Sequence, residues 1–191
     1  MSYDPPQRRS VRLKGFDYAS AGAFFVTVRV QKRECLWGDV RDGEVCLTDA
    51  ERMVVGVWEG LRERFPFISL DAFVVIPNHV HGIIIRSDTG VGAGLVPALH
   101  ALQIEGRPQG IAPTLGDVVG AFKSLTTHRY ISGIKNSGWP TFDKRPWQRN
   151  YYERILRNED ELKAIREYIV HNPLGWAQDQ ENPNARPVVA L

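Results

Sequence analysis

An α+β sandwich, one antiparallel sheet with helices packed on one of its faces, is the fold class this chain predicts. Three observations carry the expectation. Short runs rich in Val, Ile and Phe recur at residues 23–30, 72–76 and 82–85, each the length of a buried strand. Between such runs lie segments whose apolar residues return every three or four positions, as on an amphipathic helix. The second and third runs are joined by Pro77-Asn78, a turn signal that makes them an antiparallel hairpin. The order is strand, helix, two strands, helix, strand, helix, which is the order of a ferredoxin-like sandwich.

Each element has its own justification. Residues 1–15 are polar and basic without periodicity and read as an arm. The run Ala23-Phe24-Phe25-Val26-Thr27-Val28-Arg29-Val30 is continuous in β formers, which predicts a central strand. Residues 38–42 are turn-like, and Gly43-Glu44-Val45-Cys46-Leu47 reads as a short strand paired near residues 35–37. Thr48 is an N-cap with Glu51 at the capping-box position. Met53, Val54, Val57, Trp58, Leu61 and Phe65 then form one helical face, and Pro66 ends it. Residues 87–113 are rich in Gly and Pro and lack either period, so they read as a flexible insertion. Thr114 caps a second helix through Leu115, Val118, Val119, Phe122 and Leu125, expected to end near Ser132 with Gly133 as its stop. Lys123, Thr126, Thr127 and Tyr130 share a second, more polar face of it. Residues 136–149 are an irregular connection, and residues 151–156 are the last strand. Asn158 caps a final helix over 159–170, with Leu162, Ile165, Tyr168 and Ile169 inward, stopped by Asn172-Pro173. Residues 177–191 read as a loose tail. One domain over 1–176 accounts for the whole pattern.

Composition narrows the classes. No run is long enough to span a membrane, and Met1-Ser2-Tyr3-Asp4-Pro5-Pro6 is no apolar export signal, so a cytoplasmic protein is expected. Cys35 and Cys46 make no metal motif and are expected reduced. The net charge is only +2, but basic residues cluster. Arg8, Arg9, Arg12 and Lys14 lie in the arm. Lys144, Arg145, Arg149, Arg154 and Arg157 are interleaved with Trp147, Tyr151 and Tyr152. Cations beside aromatics suit a phosphate backbone with bases to stack, and equally describe a solvated basic surface.

The chemistry centres on Pro77-Asn78-His79-Val80-His81-Gly82. Side chains two apart on a strand point to one face, so His79 and His81 share a face while Val80 enters the core. Two neutral imidazoles on one face can hold one metal ion. They can equally be polar residues at a sheet edge, and spacing does not separate the two readings.

Three stretches together resemble the single-tyrosine HUH transposases, in the REP-associated tyrosine transposase branch. The first is Val75-Ile76-Pro77-Asn78-His79-Val80-His81-Gly82-Ile83-Ile84. The second is Ala121-Phe122-Lys123-Ser124-Leu125-Thr126-Thr127-His128-Arg129-Tyr130-Ile131. The third begins at Trp147-Gln148-Arg149-Asn150-Tyr151-Tyr152-Glu153-Arg154 and continues to Tyr168-Ile169-Val170-His171-Asn172-Pro173.

The resemblance implies metal-dependent nicking and rejoining of single-stranded DNA, on repeats that fold as hairpins. It implies that His79 and His81 hold Mg²⁺ or Mn²⁺ and that Tyr130 is the nucleophile, forming a 5′-phosphotyrosine. Tyr151 and Tyr152 are rival nucleophiles. Lys123, Arg145, Trp147, Arg149, Tyr151, Tyr152 and Arg154, with the arm, are the expected DNA contacts. The family often places an amide or carboxylate one helical turn after the tyrosine as a third metal ligand. Ile134 stands at that position after Tyr130, which leaves Asn136, Gln148, His128 or water as candidates. A monomer or a homodimer would serve. Two other classes remain: a DNA-hairpin binding protein without catalysis, and a metal-dependent hydrolase of small phosphates.

Overall fold

The computed structural model describes residues 21–41, 44–46, 48–87 and 113–185. The basic arm and nearly all of the expected insertion lie outside these residues. The main sheet contains β1 (Gly22–Arg29), β4 (Ile68–Ile76), β5 (His79–Arg86) and β6 (Tyr152–Leu156). Their order is β4-β5-β1-β6, with every neighbouring pair antiparallel. The apolar run of β1 is therefore central, as its composition predicts. A small hairpin pairs β2 (Asp39–Arg41) with β3 (Glu44–Cys46), rather than with residues 35–37. Among the described residues the helices are α1 (Asp49–Glu59), the short α2 (Leu61–Arg64), α3 (Leu115–Ser137) and α4 (Glu159–His171), followed by a 3₁₀ segment at Asn172–Gln178.

The α+β sandwich and the antiparallel sheet are as expected, but the helices divide between its faces. β1 and β4 both run against β5, so they are mutually parallel, and α1 lies in their connection. β5 and β6 both run against β1, and α3 lies in their connection. Right-handed crossovers put both helices on one face. There Phe24, Val26, Val28, Val80 and Ile84 meet Val54, Trp58, Val118 and Phe122 in the larger core. α4 follows the last strand and has no crossover to complete. It covers the opposite face, where Leu162 and Ile169 pack on Ala23, Phe25, Ile83 and Ile85. Arg166 fastens it with two hydrogen bonds to Asp71 of β4, at 2.8 and 2.6 Å. The guanidinium holds the Asp71 carboxyl below its ordinary pKa.

Helix starts follow the sequence closely. Thr48 accepts from the Glu51 backbone N–H at 3.2 Å, and Thr114 and Asp117 form a reciprocal capping box. Asn158 accepts from the Glu161 N–H at 2.8 Å. Helix ends differ. Gly133 does not stop α3, which runs on to Ser137 and closes on Gly138 in the left-handed region at φ 66°. Gly133 is instead where Trp139 folds back onto the helix. A Cβ there would collide with the Trp139 indole. Gly82 serves the same purpose in β5, under the Trp58 ring. The tail is not loose over its described part. Residues 179–185 turn back on themselves through backbone hydrogen bonds, and Gln180 and Glu181 are tied to Arg33 and Asn78.

Candidate active site

β5 begins with its two histidines on the face that α4 covers. His79 and His81 are 2% and 5% exposed, and their Nε2 atoms stand 3.1 Å apart. Val80, between them, is buried in the opposite core. Each ring is oriented through its other nitrogen. His79 Nδ1 meets Asn78 Oδ1 at 2.8 Å. Asn78 Nδ2 donates to the carbonyls of Arg33 (3.2 Å) and Glu181 (2.6 Å), which fixes the amide with its oxygen towards the imidazole. His79 Nδ1 therefore carries the proton and Nε2 the lone pair. His81 Nδ1 meets Thr27 Oγ1 at 2.9 Å, and its ring stacks on Phe25. Burial pushes the His79 pKa down to about 4 and the His81 pKa down to about 3, so both rings are neutral at pH 7. Two neutral ring nitrogens this close either share a proton or converge on a cation.

α4 supplies the rest. Tyr168 and Asn172 are four residues apart, hence one turn apart on one side of the helix. The Tyr168 hydroxyl lies 3.4 Å from His81 Nε2, and its ring meets Phe25 and His81 edge-on while remaining 47% exposed. Partial burial and the nearby Asp179 carboxylate raise its pKa, while the Asn172 side chain and the Arg29 charge oppose them. Asn172 Oδ1 is buried and takes no hydrogen bond among the described residues. A buried carbonyl oxygen without a donor is costly, ~1–3 kcal/mol. An amide oxygen is also a good ligand for a hard divalent cation. Among the described residues no cluster of three or more His, Cys, Asp or Glu can hold a metal. Two imidazole nitrogens converge here, and the Asn172 side chain meets the Tyr168 phenol beside them.

Tyr130, by contrast, belongs to the other side of the sheet. It is 0% exposed on α3, with ring centroids of Trp37, Trp139 and Phe142 at 5.2, 5.1 and 5.9 Å. Its hydroxyl donates to the Leu36 carbonyl at 3.4 Å, and burial pushes its pKa up to about 12. The sheet separates α3 from the histidines, so the expectation that Tyr130 joins them is corrected. The polar face predicted for α3 is an interior one. Thr126 is buried and accepts from Trp147 Nε1 at 2.8 Å.

The expected DNA contacts divide. Trp147 is buried against Trp37 and Phe122 and offers no stacking face. The Lys123 ammonium donates to the carbonyls of Gln148, Arg149 and Asn150 at 2.6, 3.0 and 3.4 Å. Those three bonds use all its protons, so it is a staple for this segment rather than a free cation. Burial nonetheless lowers its pKa to about 8. Arg145 and Arg149 are exposed and line an open groove with His128 and Ile131. Tyr151 packs beside the larger core. Tyr152 and Arg154 pair with Thr27 and Phe25 and so share the histidine face. Tyr152 is exposed there, and Arg154 pairs with Glu161 at 3.3 Å. Tyr152 also lines a cavity of about 170 Å³ with Thr27, Arg29, Gln148 and Asn150. Arg8, Arg9, Arg12 and Lys14 lie outside the described residues.

Tyr168, Asn172, Asn78, Thr27 and Arg29 are the site residues that sequence reasoning passes over. A signal for two of them was present. Tyr168-Ile169-Val170-His171-Asn172 has the tyrosine-to-amide spacing that Tyr130 lacks. Asn172-Pro173 also reads as a helix stop, and that reading concealed it.

No family model matches the chain. An uncharacterized protein of Haemophilus influenzae is 41% identical over 175 residues, covering 91% of this chain and 92% of that one. The solved structure of the REP-associated tyrosine transposase bound to a REP hairpin superposes with a TM-score of 0.54 at 20% identity, over 85% of this chain and 73% of that one. A crystal structure of a putative transposase from Deinococcus radiodurans R1 aligns with a TM-score of 0.42 at 16% identity, over 85% of this chain and 96% of that one.

Proposed function

The chain belongs to one family with the Haemophilus influenzae protein and shares the fold of the REP-associated tyrosine transposase, and from that premise we propose that it nicks and rejoins single-stranded DNA with Tyr168 as nucleophile. One observation carries the reading. The Tyr168 hydroxyl is 3.4 Å from His81 Nε2, which itself stands 3.1 Å from His79 Nε2, and the Asn172 side chain, whose oxygen is unpartnered, reaches the same phenol. These residues fit a divalent cation, Mg²⁺ or Mn²⁺. His79, His81 and Asn172 would hold it, with phosphate oxygens and water completing its shell. When bound, it supplies Lewis-acid polarisation of the scissile phosphate.

The chain's own residues do the remainder. Asn78 and Thr27 hold the imidazoles in place. The phenol oxygen attacks phosphorus, the P–O3′ bond breaks, and a 5′-phosphotyrosine forms. The phenol loses its proton and the departing 3′-oxygen gains one, so the step balances. The Asn172 amide and the Arg29 charge favour the phenolate against the cost of burial. A 3′-hydroxyl attacking the phosphotyrosine reverses the step, and the tyrosyl ester conserves the bond energy. Tyr168 and the histidines are in one chain, so a monomer holds a complete site. Hairpin DNA is the substrate class that the fold relative's own complex suggests.

The test is a covalent adduct. Labelled single-stranded hairpin DNA is incubated with the protein and Mg²⁺ or Mn²⁺, then denatured and resolved by size. Labelled protein is expected from the wild type and from Tyr130→Phe, and none from Tyr168→Phe or His79→Ala. Hairpin binding without any adduct would instead make the chain a binding protein.

A further inference from the structure

Three register partners form one row across the sheet: His81 of β5, Thr27 of β1 and Tyr152 of β6. All three side chains share the α4 face. Neighbouring strands stand ~4.8 Å apart, which puts Tyr152 ~10 Å from His81 along the row. Thr27, in the middle, meets His81 Nδ1 at 2.9 Å. The Tyr152 ring lies edge-on to Phe25 at 6.3 Å, and Phe25 meets Tyr168 edge-on at 6.0 Å. Two half-exposed phenols therefore flank Phe25. Tyr168 meets the histidines, whereas Tyr152 has no part in the proposed chemistry. A lone surface tyrosine is ordinary. This one walls a cavity of about 170 Å³ with Thr27, Arg29, Gln148 and Asn150, in the row of a candidate metal ligand.

The wall opposite the sheet is held in place by its backbone. The Gln148 N–H donates to the Arg29 carbonyl at 2.9 Å, and Lys123 clamps the carbonyls of Gln148, Arg149 and Asn150. Gln148 Nε2 donates to the Val30 carbonyl at 3.3 Å, which commits that amide to the strand end. The Asn150 side chain is exposed and lines the same cavity. A space of this size suits one nucleobase. An exposed aromatic ring offers a base its face, and a side-chain amide pairs with two atoms of adenine at once, donating to N7 and accepting from the N6 amino group. We propose that this cavity seats the unpaired base next to the scissile phosphate, stacked on Tyr152 with its edge read by Asn150, and that adenine is the base it prefers. The inference rests on the strand-transfer reading for its ligand. It adds a base-reading site that the reaction itself does not require.

The experiment reads stacking rather than turnover. Full-length Tyr168→Phe protein, in chelator, is titrated to saturation against single-stranded hairpin oligonucleotides that carry the fluorescent base 2-aminopurine at one unpaired position at a time. One position is expected to lose fluorescence several-fold on binding. Added Tyr152→Ala should abolish that quench and weaken binding ~10-fold, while added Tyr152→Phe should keep both, because the ring and not the hydroxyl stacks. At the same position, replacing adenine by purine, which lacks the N6 amino group, should weaken binding ~10-fold, and the penalty should vanish in Asn150→Ala. A quench that survives Tyr152→Ala, or none at any position, overturns the base site. An undiminished adenine-to-purine penalty in Asn150→Ala overturns the edge reading. An adduct on Tyr168 of the wild type with no quench would sink the base site and leave the chemistry standing. A quench that depends on Tyr152, without any adduct, would do the reverse.

Discussion

Tyr130 and Tyr168 are both tyrosines on long helices packed against the same sheet, and they have little else in common. On the α1/α3 face, Tyr130 has no exposure and is walled in by Trp37, Trp139 and Phe142. On the α4 face, Tyr168 is half exposed, with its hydroxyl against an imidazole and an amide one turn away. Burial raises the pKa of both, but only Tyr168 has a nearby cation and amide acting in the other direction. The sheet face a helix lands on decides whether a phenol is walled into packing or set beside polar side chains.

The sharpest way to break the comparison is to exchange phenylalanine for each tyrosine. Tyr168→Phe should lower adduct formation by ~10³-fold or more, because no other group replaces the nucleophile. Tyr130→Phe should leave adduct formation within a few-fold and lower stability by ~1 kcal/mol in denaturant, the worth of one hydroxyl hydrogen bond. The reverse pattern would return the reaction to α3.

Asn172 sharpens it further. Asn172→Ala should cost ~10–100-fold in activity, recovered in part at higher Mn²⁺, as expected for loss of one ligand. A loss that no metal concentration recovers would make Asn172 a partner of Tyr168 alone. Gly82→Ala probes the other face, where the new methyl would meet the Trp58 ring at 2.5 Å. Chemical denaturation should show a loss of ~1–3 kcal/mol. A neutral result would mean that Trp58 has room to move.

The smallest effect is a pH dependence in α1. Glu51 is buried, and burial pushes its carboxyl up to about 7 from 4.5. Between those values the folded chain binds more protons than the unfolded one, so this group's contribution to stability falls as pH rises through the window. Glu51→Gln should therefore be ~1 kcal/mol more stable than wild type at pH 8, with the gain shrinking towards pH 4.5. A difference independent of pH would show that Glu51 does not titrate there.

Much of this was legible in the chain. Alternation placed His79 and His81 on one face with Val80 opposite, because strand parity is local. The central position of β1 followed from its unbroken apolar run, and Thr48, Thr114 and Asn158 announced their helices through capping chemistry. What stayed hidden is non-local. Lys123, Thr126, Thr127 and Tyr130 are polar at helical spacing and read as a second, more polar face. The segment carrying Trp139, Phe142 and Trp147 folds over that face and makes much of it interior. α4 has no crossover to fix its side of the sheet, so its pairing with β5 could not be read from periodicity. The ion pairs of Glu181 with Arg29 and Arg33 join residues more than a hundred positions apart, beyond any local pattern.

If strand transfer takes place on the α4 face, the residue that becomes linked to DNA must lie there. The denatured adduct would be digested and the peptide carrying the nucleotide identified by mass. Phosphotyrosine at Tyr168 is the expected result. A nucleotide on Tyr130, Tyr151 or Tyr152 would contradict it.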